Sequence, residues 1–110
     1  MIHTGMPDYS VTIGHDTTIG HSAIIHGCTI GDECMIGMGA IIMNGAVIGN
    51  HCIVAAGSIV TEHKVFPDGS LILGSPAKVI RPLTEAEIKN IKNNAEAYVQ
   101  LAEKHLTQTE

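Results

Sequence analysis

An aliphatic residue recurs at Ile13, Ile19, Ile25, Ile30, Ile36, Ile42, Ile48, Val54, Val60, Phe66 and Ile72, a step of six broken once by a step of five between Ile25 and Ile30. No other feature of the chain narrows its fold as far. Strands alternate with period two and amphipathic helices with about 3.6, so a period of six is neither alone. It fits a short strand followed by a corner. Four places after most of these residues comes a small or compact side chain: Thr17, Ala23, Thr29, Cys34, Ala40, Ala46, Cys52, Ser58, Ser70 and Pro76, with Lys64 out of pattern. The aliphatic residue would point into a prism and the small one would let the chain turn. Three steps close a triangular coil of about 18 residues, and coils stack at about 4.8 Å, the ordinary interstrand spacing. The expected fold is an all-β solenoid, a left-handed parallel β-helix, with hexapeptides over 11–77 inside a β-helix domain of residues 1–82.

Composition agrees with a core built from many small steps. The chain has 12 Gly but one Phe, two Tyr and no Trp, and is 45% apolar with only 15% charged residues. That apolar content excludes a disordered chain. A net charge of -5 and the lack of a Lys/Arg run offer no footprint for nucleic acid or an anionic membrane surface. No run approaches the roughly 18 apolar residues of a membrane span, and the first residues lack signal-peptide order. Three Cys without a CxxC pair fit a reducing compartment. The expected location is the cytoplasm.

Beyond Pro76 the period stops. Thr84 and Glu87 form a Thr-x-x-Glu capping box, so a helix is expected over 83–106. Its stripe of Ile88, Ile91, Ala95, Tyr98 and Ala102 would pack on a prism face or on a neighbouring subunit.

Coil arithmetic sorts the seven histidines. His3 follows Ile2 and His26 follows Ile25, so both take the second place of a hexapeptide. With a five-residue insertion between Thr4 and Ser10, Ile2 and Ile25 lie one full turn apart, which stacks His3 and His26 on one face of adjacent coils. His21 lies across a corner and projects from a different face. Three imidazoles with a fourth position open make the ligand set of a catalytic zinc. One chain converges only two of them, so His21 must come from a neighbour, and a trimer follows. The alternative is that all three are solvated surface residues. His15, His51, His63 and His105 read as solvated; Cys34 and Cys52, one full turn apart, read as core residues stacked with Ser70; Cys28 reads as a buried corner thiol.

The run from Val11 to Gly31 with its His-x4-His, the segment Ile2-His-Thr4, Ile36-Gly-Met-Gly-Ala40, Gly74-Ser-Pro-Ala-Lys78 and Tyr98-Val-Gln-Leu-Ala102 resemble the gamma-class carbonic anhydrases. The resemblance implies a left-handed β-helix homotrimer with zinc, iron or cobalt between subunits, bound by His3 and His26 of one and His21 of the next. It implies reversible hydration of CO2 to bicarbonate, zinc lowering the pKa of its water toward about 7; the family's acidic shuttle loop has no match here, and His15, Asp8 and Glu62 are this chain's own candidates to export the proton. The earlier coils of that family, with their Arg, Asp and Gln, have no match here, so the chain reads as an N-terminally truncated member, its exposed Ile-lined mouth expected to associate end to end. The rivals are a hexapeptide acyltransferase with one His as general base, a metal-dependent CoA thioesterase, and a non-catalytic trimeric scaffold.

Overall fold

The structure, a computed structural model, describes residues 10–93. Ten two-residue strands come first: β1 (Thr12–Ile13), β2 (Thr18–Ile19), β3 (Ile24–Ile25), β4 (Thr29–Ile30), β5 (Met35–Ile36), β6 (Ile41–Ile42), β7 (Val47–Ile48), β8 (Ile53–Val54), β9 (Ile59–Val60) and β10 (Val65–Phe66). Then follow β11 (Ser70–Gly74), β12 (Ala77–Pro82) and helix α1 (Glu85–Asn93). Every third strand pairs in parallel, giving three faces: β1-β4-β7-β10, β2-β5-β8-β11 with β12 at its end, and β3-β6-β9. This is the hexapeptide β-helix, with three complete turns and part of a fourth.

The second residue of each two-residue strand points inward, as does Ile72 in β11. Ile25, Ile36, Ile42, Val54, Val60 and Ile72 are fully buried, and such a side chain contributes about 1.5–3 kcal/mol by leaving water. Ile13 and Ile19 of the first coil are only partly buried against this core.

The corners are as regular as the strands. Four residues separate successive two-residue strands, with one exception, and the third residue after the strand is left-handed: Asp16, Ser22, Glu33, Gly39, Gly45, His51, Gly57, His63 and, after β10, Gly69, with φ between 53° and 76°. Each such residue from Glu33 onward donates its N–H to the carbonyl of the preceding coil's corner, as in Gly39 to His21 at 3.0 Å and Gly57 to Met38 at 2.9 Å. The last corner residue is inward. Thr17, Cys34, Cys52 and Ser70 form one such column, and its hydroxyls and thiols donate to carbonyls at the next turn: Thr17 Oγ1 to Gly31 O at 2.7 Å, Cys34 Sγ to Gly49 O at 3.0 Å and Cys52 Sγ to Pro67 O at 3.2 Å.

One corner is short. Between β3 and β4 only His26, Gly27 and Cys28 intervene, and none of them is left-handed. The first coil therefore pairs Thr12 with Thr29 and Ile24 with Ile41, closer in sequence by one place than the later pairs, Thr29 with Val47 and Ile41 with Ile59. This corrects one expectation. Counting four places from Ile25 puts Thr29 inward, whereas Cys28 takes that place, 2% exposed, and Thr29 stands outward and exposed. The residue is missing from the corner, not from the strand.

Past the hexapeptides, β12 turns back antiparallel on β11, Gly74 opposite Ala77, with a cis Ser75–Pro76 bond at the turn. The hexapeptide period stops at Pro76, and sequence reading assigned no strand between there and the helix. Arg81 in β12 forks onto Glu87, at 2.7 and 2.9 Å. The expected capping box forms: Thr84 N donates to Glu87 Oε1 at 2.8 Å and Glu87 N to Thr84 Oγ1 at 3.2 Å. Ile88, Ile91 and the preceding Leu83 then pack on Met35, Ile53 and Leu71, the outward residues of β5, β8 and β11. The helix thus lies on its own prism. Its expected continuation through Ala95, Tyr98 and Ala102 lies outside the described residues, as do His3, Asp8 and His105. Among the described residues no helix is long and apolar enough to cross a membrane.

Candidate functional site

Strand β3 separates the two described histidines of the candidate ligand set. His21 is the second residue of the corner before it and exposed; His26 is the first residue of the corner after it and half-buried. The two occupy opposite edges of the β3-β6-β9 face, in the same coil. His26 N donates to Ile42 O at 2.9 Å and His21 O accepts from Gly39 N at 3.0 Å, so the ladder to the second coil fixes both backbones. Between these edges runs an outward aliphatic column of Ile24, Ile41 and Ile59, each part-buried. The face resembles the one that α1 covers, but α1 lies on the other.

Other candidates separate by edge. His15 is exposed on the β1–β2 corner, away from both His21 and His26. Glu62 shares the His26 edge two coils on, about 10 Å along the axis by strand spacing. His51 is not simply solvated: its Nδ1 lies 3.5 Å from Glu33 Oε2 of the preceding coil. Cys28 is buried and its thiol is pushed up to about 11 by that burial. A hydrogen bond with Cys52, with burial second, raises the thiol of Cys34 well above the ordinary range. These thiols are core, not ligands. Among the described residues no three His, Cys, Asp or Glu side chains come together as a metal site.

Sequence reading also missed the side chains that tie corners together. On the β1–β2 edge, Asp32 Oδ1 accepts from His15 N, Asn50 Oδ1 from Asp32 N and Asp68 Oδ1 from Asn50 N, each at 2.8 Å. The shortened corner has the same device once: Asn44 Oδ1 accepts from Gly27 N at 2.9 Å. The signal was an Asx at the second corner place, but its partner lies a whole coil earlier and only the coil register reveals it.

The family model for the bacterial transferase hexapeptide (six repeats) matches residues 10–42 and 27–62. A probable carbonic anhydrase of Methanocaldococcus jannaschii is 60% identical over 37 residues, 34% of this chain and 23% of that protein. The mitochondrial gamma carbonic anhydrase 2 of Arabidopsis thaliana is 45% identical over 54 residues, 49% of this chain and 19% of that protein. Among solved structures, a putative acetyltransferase of Bacillus cereus superposes with a TM-score of 0.82 at 37% identity, covering 97% of this chain and 62% of that one. The chain therefore matches about a fifth of these curated relatives and about three-fifths of the solved structure.

Proposed function

The chain belongs among the hexapeptide-repeat proteins and resembles gamma-class carbonic anhydrases over part of its length, and on that premise we propose a homotrimer in which His3 and His26 of one subunit and His21 of the next hold zinc for reversible CO2 hydration. Iron and cobalt are the alternative metals. One observation carries this reading: His21 and His26 sit in one coil, at the two edges of one face. Three such faces set around an axis parallel to the prisms bring the left edge of each against the right edge of the next. Rotation about that axis preserves height, so residues of the same coil meet. The Ile24–Ile41–Ile59 column lies between the edges and supplies apolar surface for the three-fold contact.

The donor set suits the ion. Two imidazoles stand at the surface on corners tied to the second coil, and neutral imidazole is the ordinary protein ligand of zinc. Zinc held there supplies the Lewis acidity that makes water a nucleophile near neutral pH. The chain's own residues do the rest: His21 and His26 bring the subunits' edges into one site, the aliphatic column excludes water from beside it, and Glu62, two coils further along the His26 edge, is the candidate among the described carboxylates to carry protons away.

The test is metal content per chain in protein purified without a His tag, wild type against His21→Ala, with the oligomer mass by light scattering. Near one zinc per chain, lost on substitution, is expected. No metal in either protein, or a monodisperse monomer, overturns the reading. The Bacillus cereus structure favours a second reading, a hexapeptide acyltransferase in which a single His is the general base. Acyl transfer from a CoA thioester by a zinc-free protein would establish it.

A further inference from the structure

The corner that begins with His26 is the irregular one among the described corners, and its irregularity has a specific repair. Every other corner between the two-residue strands has a third, left-handed residue that turns the chain. From the second coil onward, that residue also donates to the corner before it. The His26-Gly27-Cys28 corner has lost that residue. Its geometry must be set from outside.

Two neighbours in the second coil set it. Gly45 N donates to Gly27 O at 2.7 Å, the backbone bond expected of any corner. Asn44 Oδ1 accepts from Gly27 N at 2.9 Å, which uses a side chain. Gly27 is thus held on its N–H and its C=O by consecutive residues. Asn44 is itself anchored from the third coil, where His63 N donates to Asn44 O at 3.0 Å. The ring of His63 fills the space a Cβ at Gly45 would need.

The distribution of such side-chain ties is informative. The β1–β2 edge carries three, on corners of normal length. On the His21 edge the second and third coils have Met38 and Ala56 at this place, which cannot supply one. The His26 edge has the Asn44 tie, on the residue next to the one that carries the imidazole.

We propose that Asn44 is a positioning residue for His26. By fixing the Gly27 amide, it fixes the direction in which the chain leaves His26 and so where that ring stands relative to His21 of the neighbouring subunit. This inference rests on the shared-metal reading above. Asn44 touches no metal and no substrate; it acts through Gly27.

The experiment is zinc titration of the metal-free protein with a competing chromogenic chelator, in four proteins with the thermal midpoint measured in parallel. Asn44→Ala removes the acceptor. Asn44→Asp keeps an oxygen in place. Asn50→Ala removes the matching bond to Asp32 N on the edge remote from the candidate histidines, and so reports the cost of losing a corner tie as such. We expect zinc affinity to fall about ten-fold or more in Asn44→Ala, the lower end of what partners of metal ligands are worth. It should return to near the wild-type value in Asn44→Asp and stay at that value in Asn50→Ala, while both alanine variants lose similar thermal stability. If Asn44→Ala does not fold, Asn44→Ser, whose oxygen is too short to reach Gly27, is read in its place. Equal affinity in Asn44→Ala and Asn50→Ala overturns the positioning role and leaves the metal reading intact. A wild-type chain that binds no zinc overturns the metal reading, and the positioning role with it.

Discussion

Gly37 and Gly57 lie on the same edge of the prism and are glycines for unrelated reasons, which makes them a paired test of how the coils stack. At Gly57, with φ of +71°, an added Cβ would meet nothing within 4 Å. Only the left-handed backbone resists a side chain there, at roughly 1–2 kcal/mol. About 0.4–1 kcal/mol comes back from the stiffer unfolded chain. Gly57→Ala should therefore cost about 1 kcal/mol, and Gly57→Asn less. Gly37 is not in the left-handed region, but a Cβ there would press on Ala56 N and stand 2.7 Å from Ala56 Cα and 2.8 Å from Ala55 C. Those atoms belong to the backbone of the next coil, and moving them breaks the ladder bond from Gly37 N to Val54 O at 2.8 Å. Overpacking typically costs about 1–3 kcal/mol, and a clash with backbone belongs at the top of that range. Gly37→Ala should thus lose about 3 kcal/mol, a large share of the roughly 5–15 kcal/mol that holds a domain together. Urea unfolding followed by far-ultraviolet circular dichroism measures both. If Gly37→Ala unfolds within about 0.5 kcal/mol of wild type, as an inert surface substitution would, or if Gly57→Ala is the worse of the two, the account of inter-coil contact is wrong.

Two further predictions concern charge and thiols. Glu87 is held down to about 2 from an ordinary 4.5, first by its hydrogen bonds from Arg81 and then by the Thr84 amide. A lowered carboxyl stabilises above its unfolded pKa and loses that contribution as pH falls through the folded one. Hydrogen exchange at the first-turn amides of α1 should therefore accelerate as pH drops from about 4.5 to 2, after correction for intrinsic rates, and Arg81→Ala should move that window upward; exchange that is flat across it refutes the clamp. Cys28, Cys34 and Cys52 are at most 2% exposed, so a thiol reagent at pH 8 should label none of the three in the native chain within minutes and all of them in urea. A fast-reacting native thiol would contradict the packing of the columns.

What was legible in the sequence is what the coil repeats locally. Ile36, Ile42 and Val54 announce themselves because each inward place demands a branched aliphatic side chain, and Thr84 and Glu87 announce a helix start because both partners of the box lie within one turn. Cys34 and Cys52 were placed in the core by the small place they take in the hexapeptide and by their separation of one full coil, in a stack with Ser70. His21 and His26 were read as lying across a corner on different faces, whereas strand β3 separates them and they stand at opposite edges of one face, which needed the register. Three things stayed hidden. Whether the five-residue step shortens a strand or a corner cannot be read from spacing, so Thr29 was placed where Cys28 belongs. The antiparallel return of β12 alternates Lys78, Val79, Ile80 and Arg81 too irregularly, across a bulge, to read as a strand. The Asn44 and Asx ties join residues a whole coil apart, and nothing local marks them.

The seat of α1 bears on how the molecule comes apart. In a solenoid each turn touches only the turns beside it, so unfolding can run inward from an end one step at a time. Leu83, Ile88 and Ile91 break that rule, because the residues they cover, Met35, Ile53 and Leu71, belong to three different turns. The helix is a splint laid along the stack. It can seat only after those turns are in register, and once seated it makes the loss of one turn a loss of contacts to all three. A prism whose backbone alone would fray gradually is thereby given a cooperative block over the turns that carry Met35, Ile53 and Leu71, and the coil of β1 to β3, whose outward Thr18 offers that helix no apolar hold, lies outside that block.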